Sequence, residues 1–409
     1  MHIIADLHLH SKYSRATSPK MNVDFLAKAG KEKGLNLLGT GDFTHPKYLE
    51  ELKSKLEFDE ETGFYKKEGL FFVPTSEISF MYSQGGKGRK VHLVFIAPDL
   101  ETVEQFNSEL DKWGRRDYDG RPIFGKTVIE AVDLALSISK DIEVVPAHAW
   151  TPWFGVFGSK SGFDSLKEAF QDRVKHIHAI ETGLSSDPEM NWRLSQLDDI
   201  NLISNSDSHS PWSWRIGREA TIFDVDNYKG LINAIRTGEG LLSTIEVDPA
   251  YGKYHWDGHR LCNFSCSPEE AEKLNNICPV CGKPLTIGVE HRVEELADRP
   301  VGFKPKGAKP FVKLLPLAEL ISHAYGISLS SKKVFVKTFE LIKEFGSELS
   351  VLLDVPEMEL KRVVDEKLVS YILLNREGMV KFKPGFDGEY GVPLFEEVKG
   401  TAQKKLGEF

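Results

Sequence analysis

The chain has 409 residues, 41% of them hydrophobic and 28% charged, with a formal net charge of −9. That length suits two or three domains with a large core, and that balance excludes a disordered, collagen-like or membrane-embedded chain. No segment is apolar enough for a transmembrane helix, the first residues lack a signal peptide's basic and apolar regions, and the acidic balance speaks only weakly against nucleic acid, so a cytoplasmic protein without a membrane partner is expected.

Ile3-Ile4-Ala5 reads as a first strand, running into Asp6-Leu7-His8-Leu9-His10. Two histidines at i and i+2 share one side of an extended backbone, so they can converge on one metal ion. Alone, such a pair is a weak signal. Asn22 caps a helix with Val23, Leu26 and Ala29 on its apolar face, ended by Gly34. A strand over 35–40 leads to the loop Gly41-Asp42-Phe43-Thr44-His45-Pro46, then a helix over 48–56. Leu70–Val73 is a strand leading to Ser76-Glu77, and Gly85–Lys90 a basic turn before the apolar run Val91–Ala97, which holds His92. Val103, Phe106, Leu110 and Trp113 form a helical stripe, and Thr127 with Glu130 forms a capping box opening a helix to Ile138. Val144–Ala147 leads to His148, Ile177–Ile180 to Glu181, and Leu202–Asn205 to Asp207-Ser208-His209. A helix from Tyr228 to Gly238 and a strand over Leu241–Ile245 close this part.

The rhythm of strand, loop and helix, repeated about seven times to residue 247, predicts an α/β fold with a mainly parallel sheet. Polar residues gather at so many strand C-termini that a closed barrel is favoured, since those ends form one active face there. The gathered residues are His8, His10, Asp42, Glu77, His92, His148, Asp207 and His209, with His45 and Glu181 in reserve as substitutes or supports. Imidazoles mixed with carboxylates suit Zn, Mn or Fe, and a carboxylate such as Glu77 can bridge two ions. Singly, each has an ordinary structural explanation; jointly they recur in phase with the strands.

The stretches Asp6–Ser11, Thr40-Gly41-Asp42, Glu77, His92, His148 and Asp207-Ser208-His209 resemble the PHP (polymerase and histidinol phosphatase) superfamily over about the first 245 residues. The resemblance implies a distorted seven-stranded barrel, up to three divalent metals (Zn, Mn or Mg) and phosphoester hydrolysis. Asp207, His209 and Glu77 are then the catalytic candidates. Two departures put a third metal in doubt: Arg15 stands where many relatives carry an aspartate, and Asp42 where many carry a histidine.

Cys262, Cys266, Cys278 and Cys281, with a Cys-Pro-Val-Cys-Gly knuckle, predict one structural zinc. Beyond them, a Pro/Lys-rich connector precedes three expected helices: Pro316 to Gly326, one ended by Gly346, and one from Pro356 to about Asn375. The expected domains are a metallohydrolase barrel (1–247), a four-cysteine zinc module (248–300), a mainly helical DNA-binding domain (301–399) and a flexible tail (400–409). This order, with Glu181–Pro188 and Val289–Val293, resembles the endonuclease Q family. That resemblance implies a repair nuclease nicking DNA 5′ of uracil, hypoxanthine, xanthine and abasic sites. A small-molecule phosphatase and a non-catalytic DNA-binding barrel are the alternatives. Trp150, Trp153, Phe154, Trp212 and Trp214 are candidates for holding an extruded base, and Arg89, Lys304 and Lys306 for phosphate contacts. Gln403, Leu406 and Phe409 resemble a sliding-clamp peptide, and a monomer is the default expectation.

Overall fold

The computed structural model describes residues 2–395. The clamp-like Gln403, Leu406 and Phe409 and the tail 400–409 lie outside the described residues. The chain opens with β1 (His2–Asp6), crosses helix Val23–Lys33 to β2 (Leu37–Gly39), and passes β3 (Glu57–Asp59), β4 (Phe64–Lys67) and β5 (Leu70–Val73). Then come β6 (Thr75–Gln84), β7 (Lys87–Ile96), β8 (Ile123–Phe124), β9 (Glu143–Pro146), β10 (Ala179–Glu181), β11 (Asn201–Ile203), β12 (Ala220–Asp224) and β13 (Leu241–Glu246). The cysteine region contributes β14 (Asp257–His259) and β15 (Phe264–Cys266), and β16 (Phe311–Lys313) returns to the main sheet beside β13.

Capping accounts for the helix ends. The Asn22 side chain accepts from Phe25 N and Gly34 closes that helix in the left-handed region, while the Thr127–Glu130 box has both of its hydrogen bonds. Along the strands, alternate residues serve different clusters. Ile3, Ala5, Leu37, Val73, Val94, Ile96, Val145 and Phe223 pack together, whereas Leu38, Phe72, Phe95 and Val144 pack with helix residues such as Leu26, Phe106 and Val132.

The sheet is mixed, where a mainly parallel one was expected. An eight-stranded sheet runs β16-β13-β12-β1-β2-β5-β4-β3, a four-stranded one β8-β6-β7-β9, and β10 pairs with β11. The steps β1-β2-β5 and β10-β11 are parallel, but β6-β7-β9 and β1-β12-β13 are antiparallel. Two local causes explain this. Gly85 and Gly86 both have positive φ and form a two-residue hairpin turn, which forces β6 and β7 to oppose. Asp6, at the end of β1, accepts from Ser206 N and Gly217 N, so β12 starts where β1 finishes and must run back. The three sheets are joined end to end by Ala97 N to Pro74 O, Ala149 N to Glu181 O, and Ser204 N to Thr221 Oγ1, rather than by one continuous seven-stranded ladder.

The C-terminal region is helical, with a core of its own including Leu320, Leu341, Leu352 and Leu368. The single helix expected from Pro356 to Asn375 is two, Glu357–Val363 and Glu366–Arg376, because Asp365 caps a new start. A helix over Glu348–Leu353 was not foreseen. Its Glu348 carboxylate receives Lys33 Nζ at 2.7 Å in a fully buried ion pair, tying this region to the first barrel helix. Among the described residues, no helix is long and apolar enough to cross a membrane.

Candidate metal centre

His8 and His10 leave the end of β1 on one side, and the backbone around them is fixed from across the sheet. Leu7 N donates to Asn205 Oδ1, and His10 N to Ser208 O. Gly41, at φ 66°, lets the next loop press onto the Leu9 carbonyl, where a Cβ would collide. Glu77 projects from β6. In the β6–β7 register Ser79 faces His92, so His92 shares a face with Glu77, which explains a polar residue within an apolar run. His148 follows β9, and Asp207 follows β11. Asp42, His148 and Asp207 all have positive φ (47°, 29° and 47°), a strained conformation of about 1–3 kcal/mol each that turns their side chains away from the strand direction.

These elements bring six of the eight expected ligands to one point. His8, His10, Glu77 and Asp207 form one donor group, and Glu77, His92 and His148 a second, each with its donor atoms within 4.8 Å of one another. Glu77 belongs to both. Its Oε2 lies 3.1 Å from His10 Nε2, and its Oε1 lies 2.6 Å from His92 Nδ1 and 3.0 Å from His148 Nε2. His10 Nε2 is also 3.0 Å from Asp207 Oδ1.

The far nitrogens are held from behind. His8 Nδ1 bonds Glu181 Oε2 at 2.9 Å, and His10 Nδ1 bonds Asp42 Oδ1 at 3.0 Å. A carboxylate on Nδ1 fixes the ring and leaves Nε2 bare toward the centre. His8 Nε2, His10 Nε2 and Asp207 Oδ1 are buried and, among the described residues, have no hydrogen-bond partner. Orphaned buried donors of this kind, three imidazole- or carboxylate-type atoms facing one space, fit a divalent metal.

Asp42 and His209 stand apart from the donor groups. Asp42 Oδ2 receives Ser11 N, Ser11 Oγ and Ser14 Oγ, so the carboxylate is saturated as the support of His10. His209 packs its ring 4.4 Å from that of His10, with Nδ1 on the Asp207 carbonyl. Arg15, 77% exposed, pairs with Asp119 rather than facing the centre.

The charges follow. Burial alone would raise the Glu77 carboxyl, but His92, Arg121 and His8 carry it well below its ordinary value. Burial would lower His8, yet Glu181, Glu77 and Asp207 raise it well above; Asp42 and Asp207 do the same for His10. His92, where burial wins, falls to about 4.

Behind Glu181 lies a second buried carboxyl pair. The β12–β13 register places Glu219 opposite Glu246, both fully buried. Glu246 accepts from Thr182 Oγ1, Ser204 Oγ and Thr244 Oγ1, while Val247 N donates to Glu219. Burial pushes Glu246 up from 4.5 to about 8. Below pH 4.5 both the folded and unfolded chains hold that proton; between 4.5 and about 8 folding takes one up; above about 8 neither does. Stability should therefore fall as pH rises through this window, by up to about 1.4 kcal/mol per pH unit for one fully linked proton. Burial and the neighbouring Glu246 push Glu219 well above its ordinary value too, so urea midpoints measured from pH 5 to 9 should decline for the natural chain, less steeply in Glu246→Gln, and flatten when both are replaced by Gln.

Other expected contacts are redrawn. Trp150 is fully buried, donates to Asn191 Oδ1 and packs on Phe157, so it is core. Trp212 and Trp214 stack on each other and edge onto Phe335 of the helical region. Arg89 is buried against the Gly162 carbonyl, Glu168 and the Phe163 ring. Lys304 lies over Trp192, and Lys306 lines a separate cleft beside Trp192 and Pro310. Trp153 and Phe154 do sit near the centre: Trp153 meets Tyr254 edge-on, and Phe154 packs 4.3 Å from His92. Arg121, Asn205, Tyr254 and Tyr390 were not anticipated; only the Asp119-Gly120 turn before Arg121 marks any of them in the sequence.

The cysteine set also changes. The group gathered is His259, Cys262, Cys278 and Cys281, with His259 Nδ1 at 3.1 Å from Cys262 Sγ and 3.3 Å from Cys281 Sγ. Cys266 pairs across the β14–β15 hairpin with Asp257, away from His259 at the turn, and is buried with Ala271 and Leu285. Three thiols, none in a disulfide, and one imidazole fit a closed tetrahedral zinc site.

Residues 316–379 match the family model "MJ0043 C-terminal domain". The uncharacterized protein MJ0043 of Methanocaldococcus jannaschii is 33% identical over 70% of this chain, which spans only 37% of that protein. The uncharacterized protein YqxK of Bacillus subtilis is 28% identical over 95% of this chain and 98% of its own length. Among solved structures, the lesion-specific endonuclease PfuEndoQ of Pyrococcus furiosus is 34% identical, covering 97% of this chain and 96% of its own, with a TM-score of 0.86. An endonuclease Q in complex with a 27-mer duplex carrying an abasic lesion at its active site aligns with a TM-score of 0.87, at 34% identity and 97% coverage of both chains. With that identity sustained over nearly the full length of both chains, this protein belongs to the endonuclease Q family.

Proposed function

We propose that this protein is a DNA repair endonuclease that hydrolyses the phosphodiester 5′ of deaminated bases (uracil, hypoxanthine, xanthine) and abasic sites. The observation that carries the reading is Glu77, shared by two donor groups, the first of which keeps His8 Nε2, His10 Nε2 and Asp207 Oδ1 buried and without a hydrogen-bond partner among the described residues. His8, His10, Glu77 and Asp207 would hold one ion and Glu77, His92 and His148 a second; Asp42 and Glu181 orient His10 and His8. The chemistry such a pair of sites would gain from bound divalent ions is Lewis-acid charge, which would acidify water and offset charge on phosphoryl oxygens.

The bond changes are those of a hydrolysis. A water oxygen bonds to phosphorus while the P–O3′ bond breaks; one water proton ends on O3′ and the other stays with the new 5′-phosphate. We give His209, one-third exposed beside Asp207, the role of passing the proton outward. The substrate wall is a cleft of about 140 Å³ opening from Asp207 and lined by Lys253, Tyr254, Tyr390 and Ser185. Two phenol rings at its mouth suit a base or sugar turned out of the stack, a role we give to them with Trp153. The helices between Leu317 and Arg376, within the domain 301–399, then hold the flanking duplex.

The test is incubation with a divalent metal and duplexes containing uracil, hypoxanthine, an abasic site or no lesion, beside a small phosphomonoester. Lesion-dependent nicking is expected. Turnover of the phosphomonoester alone would make the protein a small-molecule phosphatase, and DNA binding without turnover a binding module. Asp207→Asn, which tolerates the positive φ at that position, should lose nicking by on the order of 10²-fold or more with an unchanged thermal midpoint.

A further inference from the structure

Arg121 has no part in either donor group, yet its guanidinium reaches the centre. It follows Asp119-Gly120 in a loop pinned on every side. Gly120 N donates to Tyr13 O, Thr44 Oγ1 to Gly120 O, Arg121 N to Asp119 Oδ1, and Ser79 N to Pro122 O. Gly120 is pressed so closely on Asp42 that a Cβ there would overlap its carboxylate and the Ser14 hydroxyl. The exposed Arg15 clips Asp119 from outside. The direction of residue 121 is therefore fixed by the same elements that fix His10.

Arg121 Nη1 lies 2.9 Å from Glu77 Oε2, the oxygen that also approaches His10. Among the described residues, the other N–H groups of its fork have no protein acceptor, and 29% of the side chain is exposed. Nη1 is thus committed to the shared carboxylate, while the rest of the fork is without a protein acceptor on a side chain that solvent reaches in part. A planar fork can bind two oxyanions at once, one on each edge, which an ammonium cannot match.

We propose that Arg121 is a catalytic residue: while one edge holds Glu77, the free edge donates to a non-bridging oxygen of the scissile phosphate. This rests on the reading of the centre as a phosphodiesterase. As water adds to phosphorus, negative charge grows on the non-bridging oxygens, and a fixed cation aimed there lowers the barrier without reorganising. Arg121 does not exchange a proton; the balance of atoms is that of the hydrolysis above.

A positioning role through Glu77 would look different, and Arg121→Gln separates the two. Gln can still donate an amide N–H to Glu77 but offers no cation to phosphate. Single-turnover cleavage of an abasic-site duplex should slow by on the order of 10²-fold in both Arg121→Gln and Arg121→Ala. Bound metal per chain and the thermal midpoint should stay at natural values, and added guanidinium ion should restore part of the rate to Arg121→Ala. A natural rate in either variant, rescue by Gln alone, or a loss of metal proportional to the loss of rate overturns the assignment. If the natural chain itself fails to cut the duplex, the phosphodiesterase reading falls; if it cuts and the variants cut equally well, only Arg121 is relieved of its role.

Discussion

Replacing Glu77 by Gln is expected to give the largest loss of cleavage of any single change, on the order of 10³-fold or more, together with loss of bound metal from both donor groups. The reason is topological as much as chemical. Every other donor serves one group, so its removal leaves the second intact; Glu77 alone supplies an oxygen to each. It is fully buried, and His92, His148 and Arg121 converge on it within 3.0 Å. Removing its charge withdraws the shared anion on which His92, His148 and Arg121 all converge, whereas removing any one of them leaves it with the others. Metal analysis and a thermal melt, read beside the rate, check this. Melting temperature should fall along with metal content, whereas Asp207→Asn should lose rate without the melt. Metal uptake should also strengthen with pH in the natural chain. The carboxylates of Glu181, Asp42 and Asp207 raise His8 and His10 well above their ordinary value, so a metal must compete with protons for these rings.

The histidines and acids of the centre were readable because they sit at strand ends, where a two-residue period and a following polar loop leave a local mark. His8, His10, Glu77, His148 and Asp207 all fall in such places. What was unreadable depended on contacts across the fold. Asp42 has the same local setting as Asp207, and only the Ser11 and Ser14 donors on its second oxygen show that it supports His10. Arg121 lies in a turn between helix and strand, and its direction comes from Gly120 meeting Asp42. Trp150, Trp212 and Trp214 pack elsewhere for a related reason: adjacency to His148 and His209 in sequence says nothing about which side of the loop a ring takes. Trp150 turned inward to Phe157, while the cleft is walled by Tyr254 and Tyr390, at least 45 residues along the chain from any ligand expected at the catalytic centre. Sheet direction was equally non-local. The antiparallel β12 follows from Asp6 binding Gly217 N, a link 211 residues apart in the chain.

Cys278→Ser is expected to cost DNA affinity, on the order of 10–100-fold, although Cys278 lies outside both catalytic donor groups. The path runs through the backbone. Cys278 N donates to Lys283 O and Gly282 N to Cys278 O, the tight knuckle that aims two thiols at His259 and Cys262. His259 ends β14, whose Asp257 receives Gly288 N and His291 Nδ1, and Trp256 N reaches Gly385 O. Gly388 N donates to Lys253 O and Gly391 N to Tyr251 O, so the segments carrying Lys253, Tyr254 and Tyr390 are laced to one another and to the module. A zinc held by His259, Cys262, Cys278 and Cys281 closes this small unit, whose apolar core is only Cys266, Ala271, Cys278 and Leu285 with a few flanking residues. So little buried surface does not hold a module of this size without a cross-link. Loss of the ligand should open residues 257–291 to hydrogen exchange, weaken binding of an abasic duplex, and leave the metals at Glu77 in place. The two ligand sets give opposite outcomes at two positions. Cys266→Ser should keep the zinc and His259→Ala should release it; release from Cys266→Ser with retention in His259→Ala would restore the four-cysteine set.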